Sequence, residues 1–228
     1  MKHRYFTKGE LVLWGVSVLA IVLSFLLLDR GNHLTLLASL VGVTSLIFCA
    51  KGNPVGQLLM VLFSMVYGYI SLTFSYYGEM LTYLCMTMPM AVVSLVVWLK
   101  NPYAGNRSQV KVASLSRKQW LWGIVLTLAV TAVFYYVLKA FHTANLSPST
   151  LSVATSFLAV YLTYRRSPYF ALAYAANDVV LIILWTLASF RDVSYLSVVI
   201  CFAAFLVNDI YAYISWRAME KSQKKDSP

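Results

Sequence analysis

Eight apolar stretches, each about twenty residues long and separated by short polar turns, leave this chain few ways to fold. A hydrocarbon core of roughly 30 Å is crossed by a helix of that length, and such runs fall near 11–28, 33–50, 54–77, 80–99, 119–140, 148–164, 168–190 and 193–216. Composition rules out a soluble alternative, because 228 residues that are 60% hydrophobic and only 11% charged cannot clothe a globular surface in polar groups. A soluble enzyme, a secreted disulfide scaffold and a disordered tail are excluded together. The first stretch is longer than the apolar part of a secretion signal, and Asp29-Arg30-Gly31-Asn32 offers no small-residue cleavage pattern. It is expected to be a retained helix, either spanning the bilayer or lying along its interface.

The formal charge of +10 invites a nucleic-acid reading. Its distribution argues against one, since the cations sit at the ends of the apolar stretches and do not alternate with aromatic residues as a single-strand groove requires. Counted on alternate sides of the eight spans, fifteen of the eighteen Lys and Arg fall on one side, leaving Arg30, Lys139 and Arg191 on the other. Cytoplasmic retention of positive loops produces this partition, so both termini are expected in the cytoplasm. The longest polar interval, 101–118, divides the chain, and the charged tail from Glu220 to Pro228 is expected to fray.

No catalytic or metal constellation is visible. Cys49, Cys85 and Cys201 lie singly in apolar stretches and read as small core residues. His3, His33 and His142 fall at stretch ends without metal-ligand spacing. No nucleophile–base pair, phosphate loop or cofactor motif is present, so the chain does not read as an enzyme and no cofactor is expected.

The third and seventh stretches both begin with a proline after a cation, Lys51-Gly52-Asn53-Pro54 and Arg165-Arg166-Ser167-Pro168, and the helix after each ends in Trp98-Leu99-Lys100 or Trp216-Arg217. The same features in the same order point to an internal duplication. Residues 33–100 and 148–217 then form two three-helix bundles of the same orientation. The segment 101–147 supplies a linker and one connecting helix, 1–32 a peripheral helix and 218–228 a cytoplasmic tail. The fold class is all-α integral membrane, three plus one plus three helices as a parallel repeat with one added at the N-terminus.

Polar residues at depth mark the candidate site, because an intramembrane carboxyl costs roughly 2.5 kcal/mol or more unless paired or wetted. Asn177 and Asp178 lie about ten residues past Pro168, near the midplane. Tyr174, Asp178 and Trp185 share a stripe on that helix. On the last helix Asn208 and Tyr211, three apart, are expected to face the same cavity from the opposite side, with Asp209 turned into helix packing. Gln57, Tyr67, Ser71 and Thr82 supply further donors and acceptors from the first bundle, and Pro89 is expected to kink the fourth span. Two functions compete for these groups, ligand binding and hydrogen bonding between helices.

Several segments resemble the PnuC family in their order along the chain: Asn53-Pro54-Val55-Gly56-Gln57, Tyr67-Gly68-Tyr69-Ile70-Ser71, Tyr76-Tyr77-Gly78-Glu79-Met80, Trp98-Leu99-Lys100-Asn101-Pro102-Tyr103, and the run from Ser167-Pro168 through Asn177-Asp178 to Trp185. The resemblance implies a transporter of the bacterial inner membrane with a SWEET-like fold, assembled as a homotrimer in the lipid. It implies nicotinamide riboside as the small-molecule substrate, moved by facilitated diffusion and alternating access without ion or ATP coupling. Gln57, Tyr67, Thr82, Asn177, Asp178, Trp185, Asn208 and Tyr211 are the substrate-binding candidates. Where many family members carry W-x-x-W, this chain has Leu95-Val96-Val97-Trp98; relatives assigned to thiamine or riboflavin give the alternative cargo. The charge partition is tested by fusing reporters to the C-terminus: green fluorescent protein is expected to fluoresce and alkaline phosphatase to stay inactive, and the reverse pattern would invert the topology.

Overall fold

The computed structural model describes residues 5–73, 77–143 and 145–226; His3 and Tyr76, named above, lie outside the described residues, as do Lys2 and Arg4 of the charge count. Thr7 starts the first helix, α1 (Lys8–Leu28), through a capping box in which its hydroxyl accepts from the Glu10 backbone N–H and the Glu10 carboxylate accepts from the Thr7 N–H. Asn32 caps α2 (His33–Ala50) in a similar way, by accepting from the Thr35 N–H. Proline then opens α3 (Pro54–Thr73), where a missing N–H costs nothing.

The fourth span is not a regular helix. It runs as α4 (Tyr77–Leu81), a π-helical segment (Thr82–Thr87) and α5 (Met88–Lys100). Pro89 has no N–H to donate and its ring crowds the preceding turn. The ladder widens just before it, and the Met88 N–H reaches back five residues to the Tyr83 carbonyl. The kink expected at Pro89 thus takes the form of a π segment, a feature frequent at functional sites.

The linker folds as an antiparallel hairpin, β1 (Pro102–Tyr103) and β2 (Asn106–Val110), whose turn uses left-handed conformations at Ala104 and Gly105. A second capping box, Ser116 with Gln119, starts α6 (Arg117–Ala140). Then follow α7 (Leu146–Tyr164), α8 (Tyr169–Ser189), a 3-10 turn (Val193–Tyr195) and α9 (Leu196–Lys225). The described residues contain eight helical spans long and apolar enough to cross a membrane.

Helix α2 packs on α3 and α3 on α5, as α7 packs on α8 and α8 on α9. The bundles meet through α2 against α9 and α5 against α7, the first helix of each on the third of the other. Helix α6 rests on α7, and only 11% of its most apolar window is buried, so most of its surface is left for lipid. Helix α1 packs against α9 and α2.

At one end of the bundles the duplicated tryptophans make a reciprocal clasp. The Trp98 indole N–H donates to the Thr163 carbonyl at 3.1 Å, and the Trp216 indole N–H donates to the Cys49 carbonyl at 2.8 Å. Cys49 and Thr163 each stand five residues before their own bundle's proline, so the two bonds are repeat-equivalent and each ties one bundle to the other. Both indoles are fully buried, with centroids 5.3 Å apart, and Phe170 packs edge-on against both.

The charged segment expected to fray is instead helical to Lys225. Gln223 pins it to the linker, accepting from the Val112 N–H at 2.8 Å and donating to the Val110 carbonyl at 3.1 Å. The Val110 N–H in turn donates to the Gly52 carbonyl at 2.9 Å, which joins the tail, the hairpin and the α2–α3 turn. Replacing either clasp tryptophan, Trp98→Phe or Trp216→Phe, keeps an aromatic ring but deletes one interhelical bond. Each is expected to destabilise the detergent-solubilised protein by about 1 kcal/mol, read as a lowered Tm in thermal unfolding.

Candidate functional site

Between the bundles, near mid-helix, a cavity is walled on one side by Met60 and Phe63 of α3 with Tyr83 and Thr87 of the π segment. On the other side stand Ser156 of α7, Tyr174, Asn177 and Asp178 of α8, and Phe202, Phe205 and Asp209 of α9. The spacing of Phe202, Phe205 and Asp209 is that of one helical stripe. The cavity measures about 30 Å³. That is room for a water molecule and far less than a vitamin fills, so the walls are drawn together in this structure.

The duplication makes the chemistry of the two walls comparable. Counted from Pro54 and Pro168, Asn177 corresponds to Phe63, Asp178 to Ser64, Tyr174 to Met60 and Ser156 to Gly42. At these four positions one bundle carries a phenyl ring, a hydroxyl, a thioether and a bare glycine where the other carries an amide, a carboxyl, a phenol and a hydroxyl. Gly42 also lets Phe205 lean inward; a Cβ there would stand 2.4 Å from the Phe205 Cζ.

Asn177 is held by α7. Its amide oxygen accepts from Thr155 at 2.8 Å, Ser156 at 3.0 Å and Ser152 at 3.3 Å. With the oxygen so occupied, the amide N–H groups are what Asn177 can offer a guest. Beside it Asp178 and Asp209 bring their carboxyl groups against one another across α8 and α9. Both residues are buried, and Asp178 Oδ2 and Asp209 Oδ1 have no hydrogen-bond partner. The ion pairs among the described residues involve only Glu10 and Glu220 as acids, so neither aspartate has a basic partner.

The other expected site residues fall into three groups. Tyr67 and Trp185 lie just beyond the cavity. Tyr67 is tilted against Tyr83 with centroids 4.6 Å apart and edge-on to Trp185 at 6.4 Å, while Trp185 packs onward against Tyr195 at 5.4 Å. Thr82 starts the π segment, its hydroxyl donating to the Gly78 carbonyl at 2.8 Å. Gln57 lies toward the clasp, its amide donating to the Cys49 thiol at 3.3 Å.

Asn208 and Tyr211 share a face as expected, but that face does not meet the cavity. Asn208 Nδ2 donates to the Ser17 hydroxyl of α1 at 2.9 Å and to the Ala204 carbonyl at 2.8 Å. The Tyr211 hydroxyl donates to Glu10 of α1 at 2.8 Å, and Lys51 completes the group with an ion pair to Glu10 at 3.1 Å. The reason is rotational: the apolar stripe of Phe202 and Phe205 turns Asp209 inward, and residues one position away are 100° round the helix. Asp209, Tyr83, Thr87 and Ser156 are the polar lining residues that sequence reasoning missed, along with the apolar Leu46, Met60, Phe63, Phe202 and Phe205. Two signals were available, the second Asn-Asp dipeptide and the hydroxyl cluster Ser152, Thr155 and Ser156 on one face of α7.

Comparison with known proteins places this architecture. A family model described as nicotinamide mononucleotide transporter matches residues 32–218. The chain is 26% identical, over 91% of its length and 81% of the relative's, to the nicotinamide riboside transporter PnuC of Neisseria mucosa. It is 22% identical, over 83% of its length and 81% of the relative's, to the protein of the same name from Haemophilus influenzae. A crystal structure of the vitamin B3 transporter PnuC superposes with a TM-score of 0.83, covering 96% of this chain and 94% of that one at 24% identity, so the fold is shared. With its eight apolar helices and a matched region reaching from the cap of α2 almost to the end of α9, the chain belongs to the nicotinamide mononucleotide transporter family of multi-pass membrane proteins.

Proposed function

We propose that this protein carries nicotinamide riboside across the membrane by facilitated diffusion, the two bundles rocking about the cavity between them. The observation that carries the reading is the cavity's charge balance: two carboxyl groups, one amide and aromatic faces, with no Lys, Arg or His among the described residues of its walls. The riboside is a planar cation with a hydroxyl-rich sugar, and a cation over Tyr or Phe gains roughly 0.5–2 kcal/mol depending on desolvation. A mononucleotide adds a phosphate that would face Asp178 and Asp209 with nothing to pair it. The same cavity thus favours the riboside named in the two curated relatives over the mononucleotide in the family's description.

Asp178 and Asn177 are the first-named contacts, Asp178 against the pyridinium and the Asn177 N–H groups toward the carboxamide or ribose. Asp209 joins them in place of Asn208. Tyr67, Trp185, Thr82 and Gln57 act on the approaches. Loading requires the π segment and the α9 stripe to part, since about 30 Å³ does not admit the guest. The clasp of Trp98 and Trp216 closes one end, which the partition of positive charge puts at the cytoplasm. A SWEET-like rocking motion, a homotrimer, an inner-membrane location and cytoplasmic termini complete the proposal, the first three from family resemblance. The missing first tryptophan of W-x-x-W favours one second reading, the same mechanism with thiamine or riboflavin as cargo.

Purified protein in liposomes is expected to take up labelled nicotinamide riboside with no imposed gradient and to equilibrate it without concentrating it. Accumulation driven by a proton or sodium gradient would overturn the uniport mechanism. Asp178→Asn is expected to cut uptake about tenfold or more, with nicotinamide mononucleotide competing at least about tenfold less well than the riboside. Stronger competition by thiamine or riboflavin than by unlabelled riboside would shift the assignment to that vitamin.

A further inference from the structure

Beyond the cavity, on the side away from the tryptophan clasp, a third carboxylate stands without a cation. Glu79 of α4 is 3% exposed, its Oε2 has no hydrogen-bond partner, and none of the ion pairs among the described residues includes it. The Ser152 hydroxyl is a polar neighbour of Glu79. That hydroxyl also donates to the Asn177 amide oxygen at 3.3 Å, and one proton cannot serve both acceptors. Glu79 Oε2 is thus an oxygen without a partner in a low-dielectric setting, where an unserved acceptor is costly.

What surrounds it is aromatic. Tyr83, four residues on and on the same helical side, is near both Glu79 and Asp178, and Tyr67 is also near Glu79. The two phenol rings are tilted against each other with centroids 4.6 Å apart, and Phe63 stacks on Tyr67 at 5.4 Å. A carboxylate at the rim of paired aromatic faces is an arrangement that holds organic cations. Tyr83 belongs to this group and to the cavity wall at once, because the π segment points it inward.

We propose that Glu79, Tyr67 and Tyr83 form a second subsite for organic cations, which receives the positively charged ring on its way to the cavity and selects cationic pyridinium ribosides over neutral ones. The inference rests on the function proposed above and deepens it by naming charge as the property selected and Glu79 as the residue that selects. It gives Tyr83 a hinge-like part. As the π segment shifts, its ring faces either Glu79 or the Asp178–Asp209 pair, so the guest passes from one set of carboxyl groups to the other without losing its aromatic cover.

The experiment compares a cation with its neutral twin. Full-length protein in detergent is titrated by calorimetry with nicotinamide riboside and with its reduced dihydropyridine form, which has the same sugar and carboxamide but no ring charge. Glu79→Gln, close in shape, is expected to lower the preference for the cation about tenfold and leave the neutral form's affinity within about twofold; Glu79→Asp is expected to keep most of the preference. Should Glu79→Gln not yield folded protein on size exclusion, the pair Tyr83→Phe and Tyr83→Leu decides. The first keeps the aromatic face and the preference, the second loses both, and equal behaviour of the two overturns the subsite. A wild type that binds the cation while Glu79→Gln binds it equally well overturns the role of Glu79 and leaves the proposed cargo standing. A wild type that binds neither form overturns the proposed cargo, and this inference with it.

Discussion

Lipid offers no hydrogen bonds, and that deficit organises this protein more than any packing preference does. Many polar side chains at depth take a donor or acceptor from the chain itself. Ser39, Thr44, Thr82, Thr127 and Thr163 turn back onto carbonyls one turn away. Asn177 takes three hydroxyls from α7, and Ser45 reaches across to the Gly56 carbonyl at 2.8 Å. The buried carboxyls of Asp178, Asp209 and Glu79 each keep an oxygen without a hydrogen-bond partner, as do the hydroxyls of Ser64, Tyr67, Ser71 and Ser94, and of these groups the carboxyls are the costliest to leave unserved. Such groups raise the cost of the empty protein and lower the cost of admitting a guest that completes them.

The same demand explains α1. Helix α9 carries a polar face, Asn208 and Tyr211, that the bundles do not use. Ser17 and Glu10 of α1 answer it, with Lys51 balancing the charge of Glu10. A helix that looks like an appendage by its exposure to lipid is thereby bound at two heights through polar contacts. The family model matches only from residue 32 onward, so the α1 side of this partnership lies outside the residues that model covers.

Span positions were legible in the sequence because they follow from length and hydropathy, which no tertiary contact alters. The duplication was legible too, since the prolines and tryptophans that mark it sit at helix ends where local chemistry fixes them. Helix rotation was not. Asn177 and Asp178 face the cavity as expected, yet on α9 the choice between Asn208 and Asp209 depends on which neighbour Phe202 and Phe205 meet, and an isolated helix holds no record of that. The π segment was hidden for a related reason: Pro89 announces that the ladder must break, but not whether it kinks or widens. The hairpin at 102–110 and the helical tail depend on Gln223 meeting Val110 and Val112, a contact over more than a hundred residues.

Length gives α9 a mechanical role. Thirty residues of unbroken helix reach about 45 Å, and along that rod lie Asp209 in the cavity, Trp216 in the clasp and Gln223 on the hairpin. A stiff beam cannot tilt at one station and stay still at the others. Any swing that makes room around Asp209 is therefore conveyed to the loop that joins the two halves, so whatever grips that loop from the aqueous side also governs how freely the interior can open.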